Sequence, residues 1–156
     1  MTARSYLPAG EDSANVIYDR PPKTPRILVV EDEPILRRLN AQALLRKGYN
    51  IDTALDGQAG WEALQARQYD LLLTDHRMPR MMGSDLIKLL RFHELKLPVI
   101  LTTADCPEEL QNQLETLHID VVLSKPYTLQ ELEGAVNNIL LLKHQQPKEI
   151  APSRRA

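Results

Sequence analysis

Between residues 26 and 143, five short apolar runs alternate with five segments in which apolar residues recur at helical spacing. The runs predict strands at residues 26–30, 49–54, 70–74, 98–102 and 120–124, of which the second alternates and is expected to be less buried. Apolar strands that alternate with helices indicate a parallel sheet covered on both faces. Because crossovers between parallel strands are right-handed, few topologies remain. We therefore predict a doubly wound five-stranded α/β sheet in the order 2-1-3-4-5, with helices on both faces.

The helices are predicted from periodicity and from residues that start or stop helices. The first begins near Pro34, turns Leu36, Leu39 and Ala43 toward the sheet, and ends at Gly48. The last opens with a capping-box pair, Thr128 and Glu131. The other three are predicted over residues 58–68, 84–94 and 107–117.

The length of 156 residues with 43% hydrophobic residues predicts one domain, which we place at residues 26–143. Residues 1–25 are rich in proline and lack periodicity, so we predict a flexible leader, and residues 144–156 are predicted to be a flexible tail. The leader has one apolar segment, "NVIYD" at residues 15–19. That segment is either a chance feature or a docking segment for a partner or for the domain itself.

The charge balance and the cysteine count exclude several classes of protein. Lys and Arg total 19 against 21 Asp and Glu, so the net charge of -2 gives no reason to expect nucleic acid or an anionic membrane as a partner. A single cysteine, Cys106, excludes an intrachain disulfide. No targeting pattern and no apolar run of about 20 residues is present. We expect a soluble, cytoplasmic protein.

Acidic residues follow two strands that are neighbours in the predicted sheet. Glu31, Asp32 and Glu33 follow the first strand, and Asp75 follows the third. Two carboxylates about 5 Å apart repel each other by about 3 kcal/mol at an effective dielectric constant near 20. Such a group calls for a cation, and an all-oxygen site suits Mg²⁺ better than zinc. The alternative is that the first three acids only complement a helix dipole and that Asp75 is an ordinary polar residue at a strand end.

A hydroxyl and an ammonium are predicted at the same edge of the sheet. Thr102 and Thr103 end the fourth strand, and Ser124 and Lys125 end the fifth. Alone, such a threonine is usually structural and such a lysine is usually a solvated charge. Together with the acids, they form a set that binds a metal ion and a phosphoryl group carried on a carboxylate.

Four blocks of the sequence, in this order and spacing, resemble those of response-regulator receiver domains of two-component signalling: "ILVVEDEP", "LLLTDHRMPRMMG", "PVILTTA" and "SKPY". The resemblance spans about residues 26–143 and implies a flavodoxin-like fold of the kind found in chemotaxis regulators. It implies that Asp75 accepts a phosphoryl group from a sensor histidine kinase or a histidine phosphotransfer protein. We expect a stand-alone receiver that signals to a downstream protein through the face formed by helix 4, strand 5 and helix 5. A phosphorylation-dependent homodimer is a further possibility.

The resemblance also assigns roles to the other site residues. Asp32 and Asp75 would bind Mg²⁺ through their side chains, Arg77 through its backbone carbonyl, and Glu31 mostly through water. Thr103 would be the switch hydroxyl. The domain would catalyse its own phosphorylation and dephosphorylation without being an enzyme of the turnover kind.

In the same family, Lys125 would hold the phosphoryl oxygens, and the bond between Lys125 and Pro126 would be cis. This chain departs from the family in strand 5, where Val122 stands near the place of an aromatic residue whose rotamer reports the switch. Tyr127 either substitutes for that aromatic or only packs its ring.

Two further residues near the acids are open to interpretation. We predict that Arg77 and Asp105 pair across the mouth of the site and slow the loss of phosphate, and the alternative is two independent solvated charges. His76 is assigned to the rim of the site, because a receiver requires no histidine.

Two other functions remain open at this point. One is a receiver-shaped scaffold that is never phosphorylated, although Glu31, Asp32, Asp75, Thr103 and Lys125 are all present. The other is an aspartyl-phosphate hydrolase on a related sheet. Such a hydrolase needs a second Asp two residues after its nucleophile, and that position holds Arg77.

Overall fold

The computed structural model describes residues 23–145, so the apolar segment at residues 15–19 and the residues from 146 onward lie outside the described part. The elements are β1 (Arg26–Val30), α1 (Pro34–Arg46), β2 (Asn50–Ala54), α2 (Gly57–Ala66), β3 (Leu71–Asp75), α3 (Gly83–Phe92), β4 (Val99–Thr103), α4 (Glu108–Gln111), β5 (Val121–Ser124) and α5 (Leu129–Gln145). The five strands are parallel in the order β2-β1-β3-β4-β5. The predicted fold class and topology are confirmed.

Alternate residues of the central strands pack into two hydrophobic cores, one on each face of the sheet. Leu28, Val30 and Leu72 pack on the face covered by α2, α3 and α4. Ile27 and Val29 pack on the face covered by α1 and α5. Burial on both faces explains why the central strands are continuous apolar runs rather than alternating ones.

The inward face of α1 differs from the prediction. Leu39 is 42% exposed, whereas Asn40 is 1% exposed and lies with Ala43 and Leu44 on the buried side. The apolar pattern selected Leu39 because the polar Asn40 occupies a core-facing position. A hydrogen bond from Asn40 Nδ2 to Tyr127 Oη, at 2.9 Å, satisfies its amide donor.

Helix α4 is much shorter than the predicted helix over residues 107–117. Only residues 108–111 are α-helical, and residues 112–118 form turns held partly by bonds to the carbonyl three residues back. The carbonyls of Leu117 and His118 accept hydrogen bonds from the half-buried Arg91 guanidinium, which also donates to two carbonyls of the loop before β4. The periodic leucines do face the core, but the segment after Gln111 continues as turns, and Arg91 holds the carbonyls at its end.

The helix ends explain several charged residues near the sheet edge. Glu33 caps α1, because its side chain accepts from the N–H groups of Ile35 and Leu36 at 3.1 and 2.6 Å. The third acid after β1 is thus a capping group. The capping box of Thr128 and Glu131 is confirmed by reciprocal hydrogen bonds of 2.6 and 3.1 Å. Helix α5 continues to Gln145, so two of its residues fall in the predicted tail.

Asp56 caps α2 and forms an ion pair with Arg80 while it is almost fully buried. The hydrogen bond from Ala59 N–H, together with the Arg80 guanidinium, lowers the pKa of Asp56, although burial alone would raise it. A lowered folded-state pKa means that this stability is present above the ordinary pKa of 3.8 and is lost as the pH falls through the folded-state value.

We expect Asp56→Ala to lower the free energy of unfolding at neutral pH by about 2 kcal/mol, because it removes both the cap and the ion pair. Asp56→Asn keeps a capping oxygen and should cost about 1 kcal/mol. Urea unfolding should show the difference between wild type and Asp56→Asn shrinking below pH 3.8. A difference that stayed constant across that range would show that the charge of Asp56 contributes nothing.

Candidate functional site

The predicted site residues converge at the carboxyl edge of the sheet. Glu31 follows β1, Asp75 is the last residue of β3, Thr103 is the last of β4, and Lys125 follows β5. In the parallel register, Asp75 lies beside Thr102, and Thr103 lies beside Ser124. The ends of four strands therefore place these side chains at the crevice where doubly wound sheets bind ligands.

The three acids form one compact group. Glu31, Asp32 and Asp75 each offer a carboxylate oxygen, and these oxygens all lie within 4.8 Å of one another. Glu31 and Asp75 are 2% and 6% exposed, whereas Asp32 is exposed to solvent. Hard oxygen donors around a partly open position are the ligands that Mg²⁺ takes in proteins, since it keeps several waters and binds one or two carboxylates. The residues present therefore fit a magnesium ion.

Lys125 lies against two of these acids. Its Nζ is 3.1 Å from Asp75 Oδ1 and 3.2 Å from Glu31 Oε2. Burial alone would lower the pKa of Lys125, but the hydrogen bond with Asp75 and the charge of Glu31 raise it above its ordinary value. Burial, followed by repulsion from Asp75, raises the pKa of Glu31. The lysine therefore remains an ammonium at neutral pH and partly offsets the charge of the acids.

The two oxygens of Asp75 are in different surroundings. Oδ1 accepts the backbone N–H of His76 at 2.9 Å and also contacts the Lys125 ammonium. Among residues 23–145, no hydrogen bond is made to Oδ2. One oxygen of the carboxylate is thus held in place while the other is available to a ligand.

Thr103 is buried, and its hydroxyl donates to the backbone carbonyl of Asp105. The Asp105 side chain in turn pairs with Arg77, with Nη2 and Oδ2 2.9 Å apart. The predicted contact between Arg77 and Asp105 is therefore confirmed. Both side chains are more than half exposed, so the pair lies at the mouth of the site and contributes little to stability.

The loop after β5 carries the predicted cis bond between Lys125 and Pro126. Val122 is half-buried in β5, so no aromatic ring occupies that place. Tyr127 packs against the α1 and α5 core while its hydroxyl accepts from Asn40. Tyr127 thus ties the loop that holds Lys125 to α1. This contact was not predicted from the sequence; the signal that could have indicated it is Asn40, a polar residue at a core-facing helix position.

The assignment of His76 to the rim was wrong, because the structure buries it to 4% exposure. Its N–H bonds to Thr102 O at 2.9 Å, so the ladder between β3 and β4 continues one residue past Asp75 and carries His76 inward. Burial, followed by the charge of Arg77, lowers the pKa of His76. Its Nδ1 has no hydrogen-bond partner within the described residues.

Gly83 is a positioning residue that the sequence did not single out. Its N–H donates to the carbonyl of His76 at 2.8 Å, which folds the loop after β3 back onto the site. A Cβ added at Gly83 would lie 2.0 Å from the backbone oxygen of Asp75, a distance that no side chain can occupy. Only glycine allows this close approach without moving the backbone of Asp75.

We expect Gly83→Ala to lower the free energy of unfolding by about 1–3 kcal/mol, because the loop after β3 must move away from Asp75. Gly134→Ala is the matched control, since a Cβ there meets no atom within 4 Å and lies inside α5. The control should gain up to about 1 kcal/mol from helix propensity. Urea unfolding measures the free energy of unfolding of both variants. A Gly83→Ala variant with the wild-type value would contradict the close approach.

Within residues 23–145, no helix has the length and apolar content that a membrane span requires. The stand-alone organisation and the cytoplasmic location remain expectations from the sequence.

The comparisons with known proteins agree with this fold. A family model described as "Response regulator receiver domain" matches residues 27–137. The chain is 38% identical over 121 residues to hybrid signal transduction histidine kinase D of Dictyostelium discoideum, covering 76% of this chain and 8% of that protein. It is 44% identical over 108 residues to sensor histidine kinase RcsC of Escherichia coli, covering 69% of this chain and 11% of that protein. The chain thus spans only about a tenth of these curated relatives.

One solved structure is informative about ligands. The response regulator TrrA of Thermotoga maritima, in complex with Mg²⁺ and BeF, is 31% identical and superposes with a TM-score of 0.66. The match covers 74% of this chain and 99% of that one.

Proposed function

Because the chain belongs to the response regulator receiver domain family, we propose that it accepts a phosphoryl group on Asp75 from a histidine kinase or a phosphotransfer protein. The observation that supports this most directly is the grouping of the Glu31, Asp32 and Asp75 carboxylates within 4.8 Å. Lys125 Nζ lies 3.1 Å from the proposed acceptor.

In the proposed reaction, a carboxylate oxygen of Asp75 forms a bond to phosphorus as the bond from phosphorus to the donor's imidazole nitrogen breaks. The imidazole nitrogen keeps the electron pair of the broken bond, and the ring leaves as neutral imidazole because its other nitrogen carries a proton. The transferred phosphoryl group keeps its negative charge on its own oxygens. Lys125 turns its ammonium from the acids to a phosphoryl oxygen without losing its proton, because its pKa is raised. Preorganised charge of this kind accounts for most of the catalysis in phosphoryl transfer.

We propose that Mg²⁺ is held by the side chains of Asp32 and Asp75 and by the backbone carbonyl of Arg77, with Glu31 acting through water. When bound, the ion supplies positive charge opposite the phosphoryl oxygens. The three acids also need it for their own stability, since the Lys125 ammonium offsets only part of their repulsion.

The switch in this proposal begins at Thr103. Its hydroxyl donates to Asp105 O in the structure, so the hydroxyl must break that bond before it can contact the phosphoryl group. A change in the loop after β4 would then alter the face formed by α4, β5 and α5, through which we propose that the protein signals. Because Val122 replaces the aromatic, Tyr127, which packs against residues of α5, is the proposed link between the site and that face.

Arg77 and Asp105 are proposed to slow the loss of phosphate by covering the mouth of the site. Arg77→Ala opens this pair, so we expect the aspartyl phosphate to hydrolyse several-fold faster. Lys88→Ala is the control, because it breaks a similarly exposed pair, with Asp85, on α3. The phosphate lifetime is measured by intact mass after the donor is removed. An unchanged lifetime in Arg77→Ala would contradict a covering role.

Acetyl phosphate with Mg²⁺, followed by intact-mass measurement, tests the proposed function. A receiver gains the mass of one acid-labile phosphoryl group and loses it slowly. A scaffold that is never phosphorylated shows no gain, and this result would reject the proposal. A hydrolase would turn over phosphomonoesters, but the general-acid position holds Arg77.

A further inference from the structure

A groove runs along the edge of the sheet opposite the acids, where the strands begin. It consists of two adjoining cavities of about 350 and 1030 Å³, which share Leu95, Lys96, Leu97 and Lys143 as lining residues. Leu95 is 41% exposed, and Leu142, which lines the larger cavity, is 64% exposed. The proposed phosphorylation does not use this groove.

The smaller cavity is strongly basic. It is lined by four basic side chains and one acidic one, namely Lys23, Arg67, Lys96, Lys143 and Asp70. Arg67 and Lys143 pair with Asp52 and Asp70, both at 3.4 Å. Among residues 23–145, neither Lys23 nor Lys96 forms an ion pair. The larger cavity adds Arg91, Glu94 and Asp120, so the whole groove is lined by five Lys or Arg residues and three Asp or Glu residues. The groove therefore combines exposed leucines with an excess of positive charge, and it suits an occupant that is both apolar and acidic.

The chain itself carries such a segment. Residues 10–19, "GEDSANVIYD", contain three acidic residues, no basic residue and the apolar triplet Val16, Ile17 and Tyr18. Residues 146–156 carry three basic residues and one acidic one, so their charge does not complement a basic groove. Charge thus selects residues 10–19 over residues 146–156.

The connection between this segment and the groove is short. Lys23 lines the smaller cavity, and Asp19 precedes it by four residues, which span at most about 14 Å. Pro21 and Pro22 restrict the conformations of this connection. A tether of this length holds a segment at an effective concentration on the order of millimolar, so weak contacts are enough for docking.

We propose that residues 10–19 dock into this basic groove of their own chain. The apolar triplet covers Leu95, Leu97 and Leu142, and the acidic residues face the lysines and Arg67. This contact lies at the opposite end of the sheet from Asp75, so phosphorylation does not depend on it.

Two-dimensional ¹H–¹⁵N spectra of the full chain test the proposal. The variant Ile17→Ser/Tyr18→Ser removes the apolar side chains of the docking segment without changing its charge, and Tyr6→Ser/Leu7→Ser makes the matched change outside it. We expect the amide signals of Lys96, Leu97 and Lys143 to move in the first variant and to stay in place in the second. The amide of Asp75 should not move in either, which shows that the fold is intact. High salt should move the wild-type signals of the groove in the same direction as the first variant does, because salt screens the attraction between the acidic segment and the basic groove.

A nitroxide on Ser13→Cys, in a chain with Cys106→Ser, provides a second readout. Docking predicts strong broadening of the Lys96 and Leu97 signals, and Ile17→Ser/Tyr18→Ser should weaken this broadening although the tether is unchanged. Groove signals that coincide in wild type and both variants would overturn the proposal. Shifts that depend on protein concentration would also overturn it, because they would indicate a second copy in the groove.

Discussion

We expect replacement of Asp75 by asparagine to abolish the gain of a phosphoryl group from acetyl phosphate, while the chain remains folded. The neutral amide lacks the anionic oxygen that attacks phosphorus, so the rate falls below detection rather than by a modest factor. Intact mass after incubation with Mg²⁺ measures this directly. The fold should survive, because Asn is nearly isosteric with Asp and can still accept the backbone N–H of His76.

Two controls accompany this substitution. Asp85→Asn removes an exposed carboxylate on α3 and should leave the gain of phosphate intact, because Asp85 contacts Lys88 rather than the acids. Asp32→Asn should slow phosphorylation, since it weakens the proposed metal site but leaves the acceptor in place. An acid-labile phosphoryl group that still formed in Asp75→Asn would place the acceptor elsewhere.

The second large effect is expected for Lys125→Ala. We expect phosphorylation by acetyl phosphate to slow by about 10²–10³-fold, the range seen when one preorganised donor to a developing negative charge is removed. The same change leaves the buried Glu31 and Asp75 without their ammonium partner. Because the lysine side chain is 23% exposed, we expect a loss of about 1–3 kcal/mol in unfolding free energy rather than the larger cost of a fully buried pair.

Mg²⁺ separates the two effects of Lys125→Ala. The ion supplies positive charge to the same acids, so it should restore most of the lost stability without restoring the rate. Lys88→Ala breaks an exposed pair on α3. It should change the unfolding free energy by no more than about 0.5 kcal/mol, and the phosphorylation rate by no more than the factor that corresponds to this energy. A Lys125→Ala variant that was phosphorylated at the wild-type rate would contradict the proposed role.

The topology and the position of the site followed from the sequence, because strand and helix patterns alternate without ambiguity. Once Asp75 and Lys125 were placed at strand ends, the parallel sheet required them to meet at one edge. The metal cluster and the contact between Arg77 and Asp105 needed no information beyond this placement and the family resemblance.

Other features depend on contacts between residues far apart in the chain. The turns after α4 are held at their end by Arg91, which lies more than twenty residues before the carbonyls it binds. Asn40 is buried with its amide donor bonded to Tyr127. Because Asn40 is polar, a pattern of apolar residues does not identify its position as core-facing. Gly83 matters because it approaches the Asp75 backbone, and neither its neighbours nor its spacing showed that.

The central claim is that oxygens from separate crossover units hold a divalent ion beside Asp75. A crystal structure with Mg²⁺ and beryllofluoride tests it most directly. We predict the ion between the carboxylates of Asp32 and Asp75 and the carbonyl of Arg77. Beryllofluoride should be bonded to Asp75 and contacted by Thr103 and Lys125. An ion bound elsewhere, or a Lys125 ammonium still on Glu31 with no beryllofluoride on Asp75, would contradict the claim.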